Sequence, residues 1–102
     1  MDKDMAKQIM VRAYDCVRLI NEMAEVALSN GNEDELRVVR YAAGYTMSEL
    51  QDRLMDPILR EYPDLLPEGI EYTPLKGPTF TELAAKLRPE PPPSETGSRK
   101  KP

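Results

Sequence analysis

Two apolar rhythms of three and four residues run through the first half of this chain, and only "SNGN" at 29–32 separates them. A spacing that alternates three and four lines one face of an α-helix, and a break this short forces the second helix back along the first. The chain therefore opens with a long antiparallel helical hairpin, and whatever follows must fit around it.

Residues 4–29 read as the first helix. Ile9, Ala13, Cys16, Ile20, Met23 and Ala27 form its main row, and Met10, Val17, Ala24 and Leu28 form a second row beside it. Asp2 or Asp4 can cap its start, and Gly31 suits the left-handed position just past a helix end. The second helix starts at once. Asn32 is placed as its N-cap and Glu35 as the third helical residue, a looser form of the capping box. Leu36, Val39, Ala43, Met47, Leu50 and Leu54 keep the three-and-four rhythm, and Val38, Tyr41, Ala42 and Tyr45 widen that face. Glu33 with Arg37 and Glu49 with Arg53 are acid-before-base pairs one turn apart. Asp56-Pro57 breaks the pattern, so the helix is expected over 33–55, with a kink or restart through "PILREY" to 62.

At 1.5 Å per residue each long helix would run roughly 35 to 39 Å. Two helices cannot bury both sides of stripes this wide, so a third layer is needed. The rest of the chain, a second copy or a different protein can supply it. Self-pairing is the expectation: a four-helix bundle on dimerisation, with a seam that includes Ile20, Val39, Ala43 and Leu50.

Residues 63–78, "PDLLPEGIEYTPLKGP", are too rich in proline and glycine for a regular helix. Yet Leu65, Leu66, Ile70, Tyr72 and Leu75 are too apolar for a free linker. Ile70 and Tyr72 alternate with Glu71 and Thr73, which suits an extended strip with one side against protein. Extended, it could reach up to roughly 50 Å, enough to run back along the whole hairpin. A short third helix follows. Thr79 and Glu82 make a capping box, Pro89 ends the helix near 88, and Phe80, Leu83, Ala84 and Leu87 lie on one face. This row has the spacing of peptides that dock as helices in grooves, and it is the candidate interaction helix. A helix this short does not stand alone in water. It is expected to cover its own hairpin, with a partner protein as the other docking surface. Residues 1–88 are thus read as the folded unit and 89–102 as a disordered tail with polyproline character. Lys86, Pro89 and Pro92 match a spacing used by polyproline ligands, but the match is short and a solubilising tail is its ordinary explanation.

Composition narrows the function classes. Hydrophobic residues are 40% and charged residues 31% of 102, a folding composition with no apolar run near the roughly 20 residues of a membrane span. The start is charged in both signs with no apolar leader, and a cytoplasmic setting is expected. Net charge is −4 and the folded part carries no basic stripe, so nucleic acid is not an expected partner. There is no histidine, the commonest general base and transition-metal ligand. No catalytic, cofactor or metal constellation stands out. Glu22 and Glu25 lie off the apolar row, as a solvated face would have them. Cys16, in the helical seam, reads as a small buried hydrophobe. Tyr41 and Tyr45 read as core edge or interface, and the methionines as an adaptable apolar surface.

The expectation is an all-α, non-enzymatic protein–protein interaction module: a small adaptor, chaperone-like subunit or regulator that self-associates through its hairpin. It could also meet another protein through residues 79–88 or the helical face. A small helical enzyme or cofactor-binding bundle is the alternative, and polar residues pointing into the seam would mark it. A nucleic-acid-associated regulator is third, with Arg37 and Arg40 paired across a dimer as its only basic candidate.

Overall fold

The computed structural model describes residues 1–89, so the expected polyproline tail lies outside the described residues. The architecture is all-α. α1 spans Lys3–Asn30 and α2 spans Glu33–Leu50. A π-helical turn, Gln51–Met55, leads without interruption into α3, Asp56–Glu61. A 3₁₀ turn at Pro63–Leu65 opens the proline-rich strip, which runs to α4, Phe80–Lys86.

Side-chain caps hold the helix starts. Asp2 accepts the Met5 N–H at 3.1 Å. Asn32 and Glu35 form the full reciprocal box, at 2.8 and 2.9 Å. Thr79 and Glu82 form a second one, at 3.2 and 2.8 Å. Each box satisfies two backbone donors that a helix start leaves without partners.

Three local expectations are corrected. Gly31 is extended (φ −98°, ψ 169°), not left-handed. It stands immediately before the Asn32 cap, and its N–H bonds the Ala27 carbonyl at 2.9 Å. Space is what this position requires, since a Cβ there would meet that same oxygen at 2.9 Å. Arg37 pairs with Asp34 at 2.9 Å, not with Glu33, while Arg53 does pair with Glu49. Finally, Pro57 does not restart the helix. The Asp56 N–H reaches back five residues to the Gln51 carbonyl. The wider π turn eases the ring past the carbonyls it would strike in a regular α-helix, so the chain stays helical from 33 to 61.

The hairpin's seam is narrow. On α1 the inward row is Ala6, Met10, Ala13, Val17, Ile20, Ala24 and Ala27. On α2 it is Leu36, Val39, Ala43, Met47 and Leu50, each half-buried, as their spacing predicts. Ala13, Ile20 and Ala27 face inward as expected, while Met10, Val17 and Ala24 of the second row take the places of Ile9, Cys16 and Met23. Four alanines let the helices approach closely, and the bulkier Ile9, Cys16 and Met23 turn to the flank. Cys16 is exposed, which overturns its reading as a buried hydrophobe.

The core sits at the open end, away from the 31–32 turn. Ala6, Met10 and Ala13 of α1 meet Met55, Ile58 and Leu59, and all six are buried. Tyr62, Leu65, Leu66 and Phe80 pack on it from outside. Each fully buried large side chain here contributes about 1.5–3 kcal/mol.

Candidate functional site

α3 holds the rest of the chain through three successive ties. Asp56 is buried, and its carboxylate accepts from Gln51 Nε2 at 2.6 Å and from the Tyr72 hydroxyl at 2.9 and 3.0 Å. Arg60 donates from Nε to the Leu75 carbonyl at 2.7 Å and from Nη1 to the Pro78 carbonyl at 3.2 Å. Glu61 accepts from the Thr81 N–H at 2.9 Å and the Thr81 hydroxyl at 2.8 Å, and it pairs with the Met1 ammonium at 2.9 Å. The ties run in step: 56 to 72, 60 to 75 and 78, 61 to 81. The strip and α4 are thereby spent on the open end of the hairpin.

Electrostatics follow this geometry. Burial opposes the charge on Glu61, but hydrogen bonds from the ammonium and from Thr81 outweigh it and hold the carboxyl below its ordinary pKa. Burial, and then the hydrogen bond to Asp56, push the Tyr72 hydroxyl above its ordinary pKa.

Of the candidate interaction helix, Phe80 packs on the core and Leu83 is half-buried, while Ala84 is exposed and Leu87 is 80% exposed. Of the candidate dimer seam, Ile20 is buried, and Val39, Ala43 and Leu50 are half-buried along the seam between α1 and α2. Those four therefore meet within one chain.

What the described residues leave uncovered is a different surface. Met5, Ile9, Arg12, Cys16, Leu19, Met23 and Val26 repeat the four-three rhythm one residue out of step with the inward row of α1. Arg12 is their only charged member. On α2, Val38, Ala42 and Tyr45 keep the same rhythm between Glu35 and Glu49. Right-handed helices that run antiparallel bring these two rows to the same side of the hairpin. Near the turn the face is bare: Leu19 is 47% exposed, Met23 59%, Val26 61%, Val38 68% and Tyr45 64%. Tyr41 extends it outward, its ring 5.3 Å from that of Tyr45. The row of α1 that points away from α2, Gln8, Asp15, Glu22 and Ser29, is polar and exposed.

Leu19 and Val26 were missed as surface residues in the sequence reading. The signal for them was present as two parallel apolar rows in one helix, a pattern that calls for two seams. Asp56 and Arg60 carry no periodic signal, and the alternation that marks Tyr72 says nothing of its bond to Asp56.

Among the described residues no cluster of three or more potential metal ligands occurs, and no helix is long and apolar enough to cross a membrane. Comparison with protein-family models, curated proteins and solved structures finds no match to this chain.

Proposed function

We propose that this chain is a self-associating helical interaction module without catalytic activity. Two copies pair their turn-end faces, Leu19, Met23 and Val26 with Val38, Ala42 and Tyr45, into a four-helix bundle. The observation that supports the reading is the doubled apolar row of α1, one seam filled by α2 and the other bare. A single-chain hairpin has use for only one of the two. Monomeric soluble proteins rarely expose contiguous apolar patches larger than a few hundred Å².

A second copy suits this face better than an unrelated partner. Its two rows come from two helices of comparable length, and a two-fold axis brings such a face onto itself. Among the described residues, the strip and α4 are tied to the other end by Asp56, Arg60 and Glu61. Self-association of this kind is the basis of adaptor and regulatory subunits. The exposed methionine and tyrosines give the face an adaptable, amphipathic surface.

Sedimentation at micromolar concentration tests the proposal. The native chain should sediment at twice 11.6 kDa. Val38→Asp should sediment as a folded monomer, because valine and aspartate have similar helix propensity and the site is exposed. A well-folded native monomer throughout the micromolar range would overturn the reading, and so would a Val38→Asp dimer.

A further inference from the structure

A second concavity lies at the other end of the molecule, between α3 and the strip. Its volume is about 510 Å³, within the range of small-molecule sites. Leu59 and Leu66 line it from the core side, and Tyr72 and Pro74 from the strip. The Tyr72 hydroxyl is spent on Asp56, so what the residue adds to the lining is its ring.

Arg60 and Lys76 are the charged residues of the lining, and no acid lines it. Arg60 is fixed by two neutral carbonyls, which orient the guanidinium without cancelling its charge. Neither cation lies within 4.0 Å of a carboxylate among the described residues. Gly77 lets the arrangement form, since a Cβ at that position would stand 2.8 Å from Arg60 Cζ. An apolar groove whose lining holds two cations and no acid has the complement of one ligand chemistry.

We propose that this cavity binds a small apolar carboxylate. The alkyl or aryl body lies against Leu59, Leu66 and the Tyr72 ring, and the carboxylate meets Arg60 and Lys76. Charge-assisted hydrogen bonds of this kind are the stronger ones in water, and the desolvated body supplies the remainder. The site uses no residue of the turn-end face, so it stands or falls apart from self-association.

Decanoate is the probe, titrated into the native chain by calorimetry and by NMR, with decanol as the uncharged control. Decanoate should saturate at one per chain and shift the Leu59, Leu66 and Tyr72 resonances. Decanol should bind about tenfold or more weaker, because it cannot form the charge-assisted bonds. Lys76→Glu is an exposed change that leaves the fold intact, and it should weaken decanoate by a similar factor. Equal binding of decanoate and decanol would overturn the proposal. So would the absence of saturation into the millimolar range, or a Lys76→Glu chain that binds decanoate as the native one does.

Discussion

At the open end of the hairpin, Ala6, Met10 and Ala13 meet Met55, Ile58 and Leu59, and every one of the six is buried. At the turn end, Leu19, Met23, Val26, Val38 and Tyr45 range from 47% to 68% exposed. Both ends are apolar in sequence, and both belong to the same two helices. They differ in the number of layers. The second helix continues through α3 at the open end, where the strip and α4 add a third layer, and the turn end has two helices only. A helix pair covers one stripe on each member, and a second stripe stays in water until something lies over it. Apolar residues become core only where the topology supplies that further layer.

Substitutions at the two ends should separate most widely in stability. Ile58→Ala removes methyl groups from a site with 0% exposure, and should cost about 2–5 kcal/mol in denaturant unfolding. Val26→Ala, at 61% exposure, should change the stability of the monomer by no more than about 0.5 kcal/mol. Measured at concentrations dilute enough to leave the chain monomeric, equal costs would erase the distinction between the ends.

A smaller effect should follow from cutting one tie. Tyr72→Phe keeps the ring and removes the hydroxyl that donates to buried Asp56. A buried carboxylate left with Gln51 alone should cost about 1–3 kcal/mol. Hydrogen exchange should quicken in α4 and leave α1 near the turn as it was. Unchanged exchange in α4 would mean that the strip is held by packing and not by this tie.

The smallest effect is one of pH. The Glu61 carboxyl has a folded pKa below the unfolded value of about 4.3. Its contribution is therefore fully present above that unfolded value, and is lost as pH falls through the lower, folded one. Acidification should loosen Thr81 and α4 before the helices of the turn end, as followed by amide NMR. Glu61→Gln should flatten this response. A response that persists in Glu61→Gln would assign it to another carboxylate.

The hairpin, the strip and the short last helix were legible because each carries a local signal: a three-four rhythm, a run of prolines, a Thr-x-x-Glu box. The inward row of α2 was legible for the same reason. That of α1 was legible in part: Ala13, Ile20 and Ala27 face inward, but the helix has two apolar rows one residue apart and periodicity alone cannot choose between Ile9, Cys16, Met23 and Met10, Val17, Ala24. The choice is made by size, since the alanine-rich row permits the closer approach and sends Cys16 and Met23 outward. The passage through Pro57 was also hidden. An Asp-Pro step reads as a helix break, and only the five-residue hydrogen bond from Asp56 to Gln51 shows how the chain avoids one. Ties such as Arg60 to the Leu75 and Pro78 carbonyls join residues 15 and 18 positions apart with no spacing rule to announce them. The candidate face is half legible: Val38, Ala42 and Tyr45 widen the apolar face of α2, while beside them on α1 Met23 falls in the expected inward row and Leu19 and Val26 in neither row.

The central claim is that a second copy covers the turn-end face, and intermolecular contacts in solution test it most directly. In a mixture of isotope-labelled and unlabelled chains, filtered nuclear Overhauser spectra report only pairs of protons on different molecules. The account expects such signals between the Leu19, Val26 and Val38 methyl groups of one copy and the Met23 and Tyr45 side chains of the other. None is expected from Ile58 or Met55, which are enclosed within a single chain. Intermolecular signals confined to the open end, or none at concentrations where the chain is folded, would contradict it.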